Sequence, residues 1–146
     1  FLENGKIALY DFGSIKELPD WLHAGYMKTI SLCRQNRFAE ITAVAASMKV
    51  TMKTGEDVPF KHVQLFHDAL SPVFRERPYR FNTERDPIKI IINYNKANFN
   101  ELKNITFPGD ILFIDRAIAG LIGNLTALGA EANWADELFS AIGDPT

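Results

Sequence analysis

The stretch Lys6-Ile7-Ala8-Leu9-Tyr10-Asp11-Phe12-Gly13 alternates like a strand and ends on an acid, an aromatic and a glycine. Ile7 and Leu9 fall on one face and Ala8 and Tyr10 on the other, the period of a largely buried strand. Immediately upstream, Asn4-Gly5 is the dipeptide that a type I′ hairpin turn favours, because both central residues take φ > 0. Phe1-Leu2 is then the end of a partner strand, and the hairpin presents Asp11 at its end. A carboxylate held there can bind a hard divalent cation. The plainer alternative is that Asp11-Phe12-Gly13 is a strand-ending turn. By chance a given tripeptide occurs in roughly a few per cent of chains this long, so its weight comes from the turn and strand before it.

The chain has 146 residues, enough for one domain with a proper core, and 47% of them are hydrophobic. Sixteen basic residues against eighteen acidic ones leave a net charge of −2, which argues against nucleic acid as a partner. The single cysteine, Cys33, excludes an internal disulfide and fits a reducing compartment. The expected compartment is the cytoplasm. The triplets at Asn104 and Asn124 match the glycosylation pattern and, without a secretory signal, read as chance matches. Because the sequence opens with Phe1 inside a hairpin, the expectation is a fragment of a longer protein.

After a short link, Ser14 to Leu18, Pro19-Asp20 opens a helix whose stripe is Leu22, Tyr26, Ile30 and Cys33. In that stripe Cys33 reads as a small core residue, and His23 falls on the solvated side. A second helix is expected from Phe38 to Val50, with Phe38, Ile41, Ala45 and Met48 on one face and Ala43, Ala45 and Ala46 allowing a close neighbour. Pro59 opens a third, with Val63, Phe66, Leu70 and Val73 inward. His62 and His67 stand five apart, so they do not form the four-apart pair of a helical metal site.

Arg75 to Arg85 is irregular and mostly basic. It reads as a solvated loop whose arginines pair with Glu76, Glu84 and Asp86, with an anion or lipid-headgroup patch as the alternative. Asp86-Pro87 is an N-cap followed by the first helical position, so the β-branched run from Ile88 to Ile92 is assigned to a helix. From Ile111 a long helix carries Ile111, Ile114, Ile118, Leu121, Leu125 and Leu128 as its stripe, and Gly129 ends it. A second stripe holds Arg116, Gly120, Gly123 and Ala127. Two glycines inside a helix cost about 1 kcal/mol each against alanine, so they imply close contact with another backbone. Asp115-Arg116 interrupts the apolar run, against a membrane span. A short helix from Asn133 to Ile142 closes the chain. The fold class expected is mainly α, a short N-terminal β-hairpin (1–13) followed by a helical bundle (19–142) in a single domain, 1–146.

Together these residues resemble the UbiB/AarF family of atypical protein-kinase-like proteins. Gly5 to Gly13 is similar to the family's approach to its Asp-Phe-Gly motif. The short link after Gly13, with no Ala-Pro-Glu motif beyond it, departs from ordinary protein kinases and agrees with this family. Pro108, Arg116-Ala117, Gly123 and Asn133 resemble its final signature, with Ile122 standing where relatives carry an acid.

The resemblance implies the C-terminal lobe of a kinase-like fold, tied to ubiquinone biosynthesis or lipid metabolism through ATPase or unorthodox kinase activity. It also implies a peripheral place on a membrane and, for a eukaryotic source, the mitochondrial matrix. Asp11 would bind the Mg²⁺ that bridges the phosphates of ATP, Phe12 would pack beneath the site, and Gly13 would give the backbone freedom. No Gly-rich loop, strand lysine or catalytic-loop acid lies in these residues. The expectation is therefore an inactive chain with no catalytic residue of its own, which binds neither metal nor nucleotide tightly and whose partner is a missing N-terminal lobe. Exposed apolar surface would favour a homo-oligomer, and the basic loop would favour a membrane surface. The reading from a different class is a non-catalytic helical interaction module that receives a partner helix on the Gly120/Gly123 stripe.

Overall fold

The computed structural model describes residues 16–35 and 37–142. The hairpin and the Asp11-Phe12-Gly13 triplet lie outside them. The described residues form a mainly helical domain with a few two-residue strands.

Helix α1 (Asp20–Arg34) starts where the sequence places it. Pro19 precedes it, and its carbonyl accepts from the amides of Leu22 and His23 at 2.9 and 3.0 Å. Asp20 lies at the positive end of the helix and Arg34 at the negative end. The deepest residues are Leu22, Gly25, Ser31 and Leu32, while Tyr26, Ile30 and Cys33 are half-buried. His23 is exposed, as expected.

The second helix is shorter than its expected span. A 3₁₀ turn at Phe38–Glu40 leads into α2 (Ile41–Ser47), and Lys49 turns the chain with φ +61°. Ile41, Ala45 and Met48 face inward as expected. Close approach comes from the other side of the interface: a Cβ on Gly25 would lie 2.3 Å from Met48 Cγ. Gly25 is therefore one residue that sets how near α1 and α2 come, and of the three alanines Ala45 is buried with Leu22 of α1 in the same core.

Helix α3 (Phe60–Arg75) buries His62, His67, Ala69 and Val73, whereas Phe66 stays exposed. The expected stripe is thus rotated, with both histidines inside. Helix α4 (Pro87–Ala97) confirms the assignment of the isoleucine run: the Asp86 carboxylate accepts from the amides of Ile88 and Lys89 at 2.9 and 3.4 Å. It stops at Asn98, and Phe99–Leu102 forms a separate single turn, α5.

Helix α6 (Gly109–Leu128) begins directly after Pro108, two residues before its expected start, and ends at Gly129 in the left-handed region (φ +59°). Ile111 and Ile122 are buried, but Leu121 is 59% and Leu128 76% exposed. The inward face runs through Ile111, Ile122 and Thr126, not along the full isoleucine–leucine series. Gly120 and Gly123 correct a further expectation: among the described residues, nothing lies within 4 Å of a Cβ built on either. By length and composition the helix is apolar enough to cross a membrane, and only 17% of its most apolar stretch is buried. Helix α7 (Trp134–Ile142) follows.

Four short strands escape the sequence reading. β1 (Thr51–Met52) pairs antiparallel with β3 (Ile105–Thr106), Thr51 opposite Thr106. β2 (Tyr79–Arg80) pairs antiparallel with β4 (Glu131–Ala132), Arg80 opposite Glu131. Each pairing sits on its own core. Leu22, Ala45, Met48, Val50, Val58, Ile105 and Ile111 make the first, and Val73, Tyr79, Phe81 and Ile122 the second. Helix α6 runs from one to the other. Ile122 is therefore an interior residue of the second core, where an acid would be buried against aromatic rings.

Candidate functional site

Asp11, Phe12 and Gly13 are not among the described residues, but the link that follows them is placed from Lys16 onward. Lys16, three residues after Gly13, forms an ion pair with Asp110 in the first turn of α6. Its ammonium also lies 5.7 Å from the centre of the Phe113 ring. One turn further along α6, Asp115 accepts a hydrogen bond from the Tyr26 hydroxyl of α1 at 3.1 Å. The chain leaving Gly13 is thus fastened to the start of α6, and α1 is fastened to the same helix a turn later. Six residues, Ser14 to Pro19, separate Gly13 from the first turn of α1.

The Tyr26–Asp115 pair is electrostatically tuned. Burial pushes the Asp115 carboxyl up from its ordinary value, while the hydrogen bond from Tyr26 pulls it down. Burial, then the charge of Asp115, push the Tyr26 hydroxyl up as well. By surface area Asp115 still counts among the exposed residues. Both ties join residues some 90 positions apart, and nothing in the sequence signals such pairs.

A second polar cluster joins α3, α4 and α5. The His62 ring is fully enclosed, with Nδ1 2.8 Å from the Tyr94 hydroxyl and Nε2 3.2 Å from Glu101 Oε2. Lys61 pairs with the same Glu101 oxygen at 2.5 Å. The hydrogen bond from Lys61 holds the Glu101 carboxyl below the usual carboxylate range, with the charge of Lys61 adding to it. Both ring nitrogens of His62 are occupied, so it serves as a core connector, and Glu101 keeps about half its surface in water. This role was legible in the seven- and four-residue steps from His62 to Ala69 and Val73, which put it on the buried face. His67 stacks on Phe38 with ring centres 3.5 Å apart and pairs through Nδ1 with Asp68 at 2.8 Å. The two histidines share no ligand set, and among the described residues no group of three or more His, Cys, Asp or Glu side chains converges as a metal site would.

In the basic loop, Arg85 makes a bidentate pair with Glu76 at 2.5 and 3.0 Å, and Arg77 reaches Asp136 of α7 at 3.1 Å. Asp86, expected to pair with an arginine, caps α4 instead. Tyr79 donates to the Arg85 carbonyl at 3.1 Å, and Trp134 Nε1 donates to the Tyr79 carbonyl at 2.8 Å. The loop is therefore pinned to the second core, and two of its arginines are engaged with carboxylates. Burial pushes the half-buried Cys33 thiol up, against the pull of Arg75, which fits a packed thiol and not an activated one.

The class that these residues define is a mainly helical domain whose longest helix, α6, is tied at its start to Lys16 in the link before α1. Beyond that class, comparison with models of protein families, with curated proteins and with solved structures finds no match.

Proposed function

We propose that the chain is the C-terminal-lobe portion of a UbiB-like atypical kinase or ATPase, with Asp11 as its ligand to a Mg²⁺–nucleotide complex. The observation that carries this reading is the Lys16–Asp110 ion pair. It joins Lys16, three residues past Gly13 in sequence, to the first turn of the helix that holds Arg116 and Gly123, the second part of the resemblance. Further support comes from where the signature residues fall. Pro108 immediately precedes α6, and the Asn133 carbonyl accepts from the Asp136 and Glu137 amides at the start of α7.

In this role Asp11 supplies carboxylate oxygen to a hard cation, whose charge offsets that of the phosphates. By the resemblance, Phe12 would pack beneath the site and set the orientation of Asp11, and Gly13 would supply backbone freedom. Positioning the nucleotide falls to a further lobe with its own loop and lysine, and the biological setting proposed is ubiquinone biosynthesis or lipid metabolism. The chain alone then has no strong nucleotide site. Calorimetry with MgATP tests this division: no binding is expected in the micromolar range, and micromolar affinity would contradict it.

A second reading has an observation of its own. The open Gly120/Gly123 face and the exposed Leu121 and Leu128 suit a non-catalytic module that receives a partner helix, including that of a second copy. Light scattering that finds a monodisperse monomer at high concentration would count against self-association through this face.

A further inference from the structure

By length and composition α6 is apolar enough to cross a membrane, yet only 17% of its most apolar stretch is buried. The core helix of a soluble domain with that composition lies mostly inside. In α6 one face is engaged: Ile111, Ile122 and Thr126 are buried, and Asp110 and Asp115 are tied to Lys16 and Tyr26. Another face carries Phe113, Ala117, Leu121 and Leu128 as one stripe at helical spacing, and all four are exposed. A helix fastened along one side cannot span a bilayer without carrying its polar ties into hydrocarbon. It can lie in the interface with its apolar stripe inserted.

Charge says what covers the stripe. The acids of α4 and α6 are the two already engaged, Asp110 and Asp115. Their cations, Lys89, Lys96 and Arg116, make no ion pair among the described residues. Arg116 directly precedes Ala117 of the stripe. Lys89 Nζ lies 3.4 Å from the carbonyl of Thr83, in the loop that borders Leu128, and Lys96 shares its face of α4 seven residues on. Near that end Arg80 stands opposite Glu131 in the β2–β4 pairing, which leaves Glu84 as the acid to set against three cations. The basic loop offers less, because Arg85 pairs with Glu76 and Arg77 with Asp136.

We propose that α6 lies flat on an anionic lipid surface, with its 113–128 stripe among the acyl chains and Lys89, Lys96 and Arg116 at the headgroups. The aliphatic stems of these cations lie along the apolar boundary while their charges meet phosphate. This face is independent of Asp11 and of any nucleotide chemistry there.

The test is co-sedimentation of the whole chain with vesicles of phosphatidylcholine, alone or with about 30% phosphatidylglycerol. The anionic vesicles should bind at least about tenfold more tightly than the neutral ones, and binding should weaken as salt rises. Leu121→Gln combined with Leu128→Gln should weaken it by at least about tenfold. Lys89→Gln, Lys96→Gln and Arg116→Gln combined should do the same. All five positions are exposed, so both variants keep the core intact. Arg77→Gln in the basic loop should leave binding unchanged. Three results would overturn the proposal: no binding to anionic vesicles, binding that the two leucine changes leave unaltered, or binding that Arg77→Gln abolishes. If vesicles fail to bind and the leucine changes instead turn a dimer into a monomer in light scattering, the face belongs to a second copy of the chain.

Discussion

Lys16 and Asp110 join the segment that leaves Gly13 to the first turn of α6, across more than 90 residues of sequence. Both side chains retain about a third of their surface in water, so the pair positions more than it stabilises. Lys16→Ala or Asp110→Asn should each cost at most about 1 kcal/mol, and less in high salt. A double-mutant cycle by urea denaturation measures the coupling. A coupling of zero at low salt would show that the pair does not form in solution.

Gly25 is held to glycine by Met48. Gly25→Ala should gain helix propensity of about 1 kcal/mol yet lose about 1–3 kcal/mol to overpacking against the thioether. The net effect is destabilising in the native background. With Met48→Ala the clash disappears, so the same substitution should become stabilising. That reversal of sign, read from chemical denaturation, is specific to close α1–α2 packing.

His62 connects three helices from a fully enclosed position. His62→Ala should destabilise by about 2–4 kcal/mol through the cavity and the stranded Tyr94 hydroxyl. Tyr94→Phe removes one hydrogen bond and should cost only about 0.5–1.5 kcal/mol. Comparable losses for the two would place His62 outside the core.

Asp115 and the surface acids respond oppositely to pH. Glu76 and Glu101 have carboxyls held below their ordinary value, by hydrogen bonds from Arg85 and Lys61 respectively. Their contribution is present above the ordinary value of 4.5 and is lost as pH falls through their folded values. The Asp115 carboxyl is raised, so its charge costs stability above its folded value, and the cost is relieved on protonation. Asp115→Asn keeps an oxygen that can accept from Tyr26. It should raise the thermal midpoint by about 1–3 °C at pH 7, a gain that vanishes once pH drops below the ordinary value of 3.8. Thermal scans between pH 3 and 7 check the convergence.

Much of the local structure was legible in the sequence because local rules govern it. Pro19-Asp20, Asp86-Pro87, Pro108 and Gly129 all stand at helix ends, where proline, carboxylate and left-handed glycine have backbone reasons to be. Which face each helix buries was less legible. The expected α6 stripe leaves out Ile122, yet it is Ile122, with Leu125 packed beside it, that meets the second core, and Leu121 and Leu128 remain outside. The strands were invisible because pairings of two residues leave no alternation to detect. For the candidate site, the triplet is read from its own residues, which lie outside the described ones, whereas the Lys16–Asp110 pair beyond it depends on a contact between distant segments that no local pattern signals.

The claim on which the functional account rests is that Asp11 is a divalent-metal ligand. Mn²⁺ titrated into ¹⁵N-labelled protein with ADP present reports this through paramagnetic broadening of nearby amides. The account predicts selective broadening at Asp11, Phe12 and Gly13 and in the link toward Lys16, with apparent affinity near the millimolar range expected of a single carboxylate site, and its loss in Asp11→Asn. Broadening that leaves these amides untouched, or that persists unchanged in Asp11→Asn, would contradict it.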